Sequence, residues 1–347
     1  MRILPLRDVR HGDVLASTLW AVNGQMAIRE GSVLGVSHLN YLHSRGYTLI
    51  PIEYPGFEGI CPTPWIDDEL SKRVTVFLEH LPETFDLDAD RAVKELAGKI
   101  LGCVQSHPVG ALELLPTVQS ARTAVIVALN RALIVAAVGL GVLNDNRLLD
   151  TIVAALLLDS GPNNALSRGL IVDSDDPTVI EGMSVRAMAY LRKVDMVSSY
   201  TLAAIYQAYA HFDGSGVPPL KGDRIWQGAQ LLAPANRIAC LMAATSNRSA
   251  VAPHEALEWI MGGSGTEYAP EWVARIYRTV APYAVGSVVQ LSSGDVGVIA
   301  QVPPTLPGRP IVRILSGSYR GQEWDLRDRD ARNVAILGLI TTRDIDV

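Results

Sequence analysis

The spacing of apolar and polar positions divides the chain into three parts. Between residues 65 and 280 apolar side chains recur at helical intervals, which predicts helices over 65–81, 89–106, 147–159, 178–193, 197–210, 227–244, 254–261 and 270–280. Residues 109–143 read as two more helices, parted near Pro116. Pro234 is expected to kink the 227–244 helix, because proline removes one backbone donor and crowds the preceding turn. From Tyr283 the period changes to two. Runs at 287–291, 296–302 and 310–315, with a turn at Ser292-Ser293-Gly294-Asp295, predict a small antiparallel β unit. Residues 1–55 read as a β-rich module: runs at 13–16, 17–20 and 25–28 flank the hairpin signal Asn23-Gly24, and a short helix at 38–44, ended by Gly46, precedes a strand at 47–52. The expected fold class is mainly α. A helical domain spans 66–281, with a β-rich N-terminal module (1–55), a Pro- and Gly-bearing linker (56–65) and an antiparallel β extension (282–347).

Composition narrows the class. A chain of 347 residues, 48% apolar and 19% charged, has the makings of a folded protein with an ample core. Its net charge of −6 argues against a general nucleic-acid or membrane-surface binder. Residues 124–143 are nearly all apolar and about as long as a spanning helix, but Asn130-Arg131 interrupts them. An arginine at the centre of a bilayer costs ~2.5 kcal/mol or more, so a buried helix of a soluble bundle is expected, with no membrane span. Cys61, Cys103 and Cys240 are scattered and odd in number, as free thiols in a reducing compartment would be. The first residues contain no long apolar run of the signal-peptide kind, and a cytoplasmic location is expected.

One stretch breaks the helical pattern: His211-Phe212-Asp213-Gly214-Ser215-Gly216-Val217-Pro218, continuing through Leu220-Lys221-Gly222-Asp223-Arg224. Two glycines, a serine and two following prolines specify an ordered turn, since glycine admits positive φ and proline fixes φ. This stretch resembles the signature loop of HD-GYP domains, bacterial proteins related to cyclic di-GMP phosphodiesterases, with the GYP triplet present as Gly216-Val217-Pro218. The β-rich modules at both ends are similar to those that flank many such domains. The resemblance implies an HD-domain helical bundle. It also implies metal-ligand positions contributed by several helices, where bound metals would activate a water and neutralise a phosphate.

Laid on that pattern, the ligand positions of this chain are occupied by other residues. Gln119 stands where the family has its first histidine. Residues 154–162 match the HDxGK segment with Leu158 for the histidine, Asp159 for the aspartate and Pro162 for the lysine. Met183 takes the place of a later histidine, Ala208 and Tyr209 replace a His-His pair, and Asn236 replaces an aspartate. No histidine occurs between His107 and His211, so no small shift of register restores them. Leucine, methionine and alanine cannot hold a hard dication, and neutral amides are poor substitutes for imidazole or carboxylate. No metal, no cofactor and no catalytic residue are therefore expected.

The surviving polar residues have structural readings beside functional ones. Asp159 suits a helix cap or turn, Asp213 suits bonds to amides of its own turn, and His211 suits a hydrogen bond pinning the loop. Lys221, Arg224 and Arg237 could grip phosphate, or lie on a solvated surface. The expectation that follows is a catalytically inactive HD-GYP-like signalling protein that engages a partner through residues 213–218. The resemblance implies a GGDEF-type domain as the partner class, and a homodimer is a further expected assembly. Two alternatives remain. One is a cyclic di-GMP sensor without hydrolysis, in which His211, Lys221, Arg224, Arg237, Arg168 and Arg186 supply polar contacts and Tyr209 or Trp226 stacks on guanine. The other is a phosphodiesterase with an atypical metal site.

Overall fold

A computed structural model describes residues 1–21, 25–107, 110–116, 123–160, 177–193, 197–245, 248–341 and 343. The chain is mainly helical with antiparallel sheets, and it divides into two compact units. The first comprises Met1–Pro64, Val109–Arg122 and Ala281–Val347; the second comprises Trp65–Pro108 and Thr123–Val280. The two terminal β regions thus belong to one unit.

In the first unit, strands β1 (Arg2–Pro5), β2 (Leu19–Trp20) and β3 (Met26–Ile28) precede helix α1 (Val36–Ser44) and strand β4 (Leu49–Ile52). β1 pairs antiparallel with β4, placing Arg2 opposite Ile52, and β2 pairs with β3. The hairpin turn expected at Asn23-Gly24 lies outside the described residues. Residues 13–16 make isolated bridges rather than a strand, Val14 with Val33 and Leu15 with Ile52. The C-terminal part forms a five-stranded antiparallel sheet from β5 (Val288–Leu291), β6 (Val296–Gln301), β7 (Ile311–Ile314), β8 (Glu323–Asp325) and β9 (Ile336–Leu339), in the order β8-β7-β6-β5-β9. Periodicity did not anticipate β1, β8 or β9. β8 is the polar triplet Glu323-Trp324-Asp325 at a sheet edge, where one side and one face need no apolar partner. Phe57 and Ile60, in the stretch read as a linker, are buried in a cluster with Val288, Val298 and Leu315.

Residues 110–116 do not form the helix expected there. Pro108 and Pro116 bracket a span too short to nucleate one. Its polar groups are met instead by the start of the β extension. Ala281 N–H donates to the Leu112 carbonyl at 2.8 Å, and Val285 N–H donates to Glu113 Oε2 at 3.0 Å.

The second unit holds helices α2 (Asp68–Glu79), α3 (Leu87–Ser106), α4 (Thr123–Gly139), α5 (Asp145–Leu157), α6 (Pro177–Leu191), α7 (Ser199–Gln207), α8 (Gln227–Leu241), α9 (Pro253–Gly262) and α10 (Pro270–Thr279). Side chains cap several of them: Asp67 accepts from Leu70 N–H at 2.7 Å, Asp86 from Ala89 N–H at 2.8 Å and Asn144 from Arg147 N–H at 3.0 Å. α9 and α10 begin with proline, whose missing donor is harmless in the first turn. α8 runs through Pro234 as one element. α4 is apolar on nearly every face because it is enclosed on nearly every face, chiefly by α5 and α8. Among the described residues, no helix is long and apolar enough to cross a membrane.

Burial pushes the Glu113 carboxyl up to about 7, partly offset by the Val285 hydrogen bond. The folded chain therefore holds a proton there that the unfolded chain releases above its ordinary value of 4.5. The sign follows: this group costs stability progressively as pH rises from about 4.5 to 7. Glu113→Gln keeps an acceptor for Val285 and removes the titration. Its Tm is expected to match wild type near pH 5 and to exceed it at pH 8; equal shifts at both values would contradict the assignment.

Candidate functional site

The candidate site grows from a charge in the most apolar helix. Arg131, in the middle of α4, is 0% exposed. Its guanidinium donates from Nε to the Ala155 carbonyl of α5 at 2.6 Å and from Nη1 to Asn236 Oδ1 of α8 at 2.7 Å. Nη1 also lies 2.9 Å from Asp159 Oδ2, just beyond the end of α5. Nη2 is buried and makes no hydrogen bond among the described residues. Asn236 accepts as well from the Cys240 thiol at 3.6 Å and shares a hydrogen bond with the Tyr209 hydroxyl. The Tyr209 phenol is pushed well above its usual range, first by burial and next by the Asp159 carboxylate; Arg131 and Asn236 pull the other way.

Three positions matched to ligand positions by resemblance, Asp159, Tyr209 and Asn236, therefore meet around one guanidinium. Charge suits an amide at position 236. One buried cation facing one carboxylate is a neutral pair, whereas an aspartate at 236 would leave a buried negative charge in excess. Asp159 serves as the counter-ion of Arg131 rather than as a helix cap. Sequence reasoning noticed Arg131 only as an obstacle to a membrane span. The usable signal was the same fact: a lone charge in an apolar run must find a buried partner.

A resident divalent metal does not fit this arrangement. Among the described residues no group of three or more His, Cys, Asp or Glu side chains could hold an ion. A dication placed ~4 Å from the Arg131 guanidinium would meet a repulsion of about 8 kcal/mol at an effective dielectric of 20, twice the value for two unit charges. Gln119 lies outside the described residues. Leu158 and Ala208 are buried apolar residues next to the cluster in sequence, and Met183 is buried on α6.

The signature loop connects to this cluster through Tyr209. Val217 N–H donates to the Tyr209 carbonyl at 3.0 Å. A Cβ on Gly216 would stand 2.3 Å from His211 N and 2.5 Å from the Tyr209 carbonyl oxygen, so only glycine lets the backbones approach so closely. Gly214 has φ 91°. Asp213 Oδ1 accepts from Ser215 N–H at 2.8 Å, and His211 Nδ1 lies 2.9 Å from Ser215 Oγ. Those bonds hold the Asp213 carboxyl below its usual range, the Ser215 contacts contributing most. Phe212 and Asp213 N–H donate to the carbonyls of Glu267 and Thr266 at 3.1 and 2.9 Å. Pro218 is buried, while Asp213 and Ser215 are exposed.

Of the basic residues considered for phosphate, Lys221 and Arg224 share one loop, whereas Arg186 and Arg237 lie on separate helices. Arg186 is exposed on α6, Arg224 is exposed in a single helical turn, and the Lys221 methylenes lie against Gly214. Arg237, on α8, places its guanidinium 5.3 Å from the centre of the Trp259 ring, and Trp226 leans on Tyr200 at 5.3 Å. Arg168 lies outside the described residues.

Neither a protein-family model nor a curated protein matches the sequence. Among solved structures, the chain is similar to Bd1817, a HDG"Y"P protein from Bdellovibrio bacteriovorus. The identity is 14%, the TM-score is 0.48, and the match covers 79% of this chain and 97% of that one.

Two sets of substitutions test the cluster and loop. Arg131→Met is expected to lower stability by about 3–5 kcal/mol, because it leaves the Asp159 carboxylate uncompensated. Arg131→Met with Asp159→Leu is expected to recover much of that loss, a coupling that urea denaturation measures and that simple additivity would disprove. Gly216→Ala should cost about 1–3 kcal/mol through its backbone clash. Gly98→Ala, on α3 with open space around it, should be neutral or gain up to ~1 kcal/mol.

Proposed function

We propose that this chain is a non-hydrolysing relative of HD-GYP domains that acts as a protein-interaction module in bacterial signalling linked to cyclic di-GMP. Its proposed partner class is a GGDEF-type domain. The observation that carries the reading is Arg131. A fixed organic cation stands between Asp159 and Asn236, two positions the sequence resemblance assigns to metal ligands, and its charge opposes a metal there. Metal-activated water is the means by which such a domain would cleave a phosphodiester, and cleavage requires roughly 8–23 kcal/mol of barrier lowering. Nothing in the Arg131 cluster offers a comparable nucleophile: Tyr209 is held protonated and Cys240 is engaged with Asn236.

The loop supports the second half of the reading. Its shape is maintained by its own turn bonds and by residues 266 and 267. Exposed Asp213, Ser215, Pro219 and Lys221 on a stiff backbone would lose little conformational freedom on docking. Half-buried Val217 stands where the family has tyrosine, so a contact here rests on loop shape more than on an aromatic anchor.

The purified chain is expected to carry far less than one transition-metal ion per molecule and to leave cyclic di-GMP intact after incubation with manganese or ferrous iron. It should capture a GGDEF-type domain in a pull-down, and a Pro219→Glu/Lys221→Glu variant should lose that capture while keeping its Tm. Stoichiometric metal with turnover would overturn the non-hydrolysing half, and capture undiminished by the loop variant would overturn the docking half.

A further inference from the structure

Residues 110–116 leave α3 and lead towards α4 as a strap outside any helix or strand, yet they belong to the first unit. Two kinds of contact attach the strap to the start of the β extension. Main-chain N–H groups reach it at the Leu112 carbonyl, from Ala281 at 2.8 Å, and at Glu113 Oε2, from Val285 at 3.0 Å. Apolar cover is the second: Ala111 is buried in one cluster with Ala281, Val289 of β5 and Ile299 of β6, and Leu112 and Leu114 are buried too. Glu113 is the one ionisable residue of the strap, and it sits between those apolar anchors.

What surrounds that carboxyl decides which form of it the strap can hold. The segment 281–285 offers the Val285 N–H and one titratable side chain, Tyr283. Strands β5, β6 and β9 carry no charged residue. Arg313 on β7 and Glu323 on β8 hold each other at 2.7 Å, and Asp325 on β8 is clasped by Arg327 at 2.6 Å. Arg122, the next charge along the chain, lies outside the described residues. An acid placed this way is tolerated when neutral and penalised as an anion, because one N–H bond restores only part of the hydration that a carboxylate loses. Burial accordingly pushes Glu113 up to about 7. The attached strap therefore binds the proton more tightly than a released one does. Release gains ground as pH rises from about 4.5 to 7, while the Ala281 bond and the cover of Ala111, Leu112 and Leu114 oppose it.

We propose that residues 110–116 are a latch on the β extension, held while the Glu113 carboxyl is protonated and loosened when it ionises. Release is local: the strap opens while the sheet beneath it stays paired. The latch is independent of the function proposed above and shares no residue with the Arg131 cluster or the loop at 211–218.

Hydrogen exchange of the full chain, read at single amides near pH 5 and pH 8 and corrected for the intrinsic rate, tests it. The Ala281 amide is the reporter, since its acceptor is a main-chain carbonyl that does not titrate. The Ile299 amide, which donates to the Ser287 carbonyl at 2.9 Å, reports the sheet. Protection at Ala281 is expected to fall by at least ~10-fold between the two pH values in wild type, and by less than about twofold in Glu113→Gln, with Ile299 changing little in either. Ala281 protection that does not fall with pH in wild type would overturn the latch, and that series stands without the variant. An equal fall in Glu113→Gln would assign the effect to another group. A matching fall at Ile299 would make it a general loss of stability rather than a local release.

Discussion

A single buried guanidinium governs the second unit. Enclosing Arg131 in an apolar helix is costly unless its charge is met, and meeting it, with the Nε and Nη1 donors, draws in the end of α5 and the middle of α8, where Asn236 in turn bonds Tyr209, two residues past α7. Each partner is chosen by that requirement: one carboxylate to neutralise, one amide to bridge without adding charge, and one backbone carbonyl to align the fork. The helices around α4 supply apolar enclosure, and the polar cluster supplies register. An apolar replacement could pack as densely, but it would not say which residue of α5 faces which residue of α8.

The loop at 211–218 adds a mechanical link. Its backbone is bonded to Tyr209, and the Tyr209 side chain is bonded into the cluster. Anything that shifts the loop must therefore strain a hydrogen bond to Tyr209, and the close backbone approach at Gly216 leaves little room for that shift. A surface turn is in this way tied to the centre of the helical unit through one residue.

Much of this was legible in the sequence, and the pattern of success has a physical basis. Helices α3, α5, α9 and α10 follow from apolar spacing and capping residues, because helical bonds are local and their signals lie within a few residues. The ordered turn at 213–218 was legible for the same reason, since glycine and proline announce backbone geometry by themselves. Long-range partnerships were not. Arg131 is visible as an anomaly, but its partners stand 28 and 105 residues away, at Asp159 and Asn236. Residues 110–116 looked helical by composition, yet the Leu112 carbonyl is met by residue 281 and the Glu113 carboxyl by residue 285. β1 and β9 escaped notice because a short strand is defined by its neighbour, and the neighbours are distant in the chain.

Arg343 has a consequence for how the chain is made. It is the clasp on Asp13, Arg2 donates to its carbonyl at 2.8 Å, and Phe57 and Ile60 are covered by strands that also come last. The helical unit is complete once residue 280 has been translated, whereas Phe57 and Ile60 lack their cover until the strands from Val288 to Leu315 follow. At ~5–20 residues per second, the 255 residues from Ile60 to Leu315 take roughly 13–50 s, during which those two side chains lack that cover. A change in the last strands is thus felt at Phe57 and Ile60, more than two hundred residues earlier in the chain.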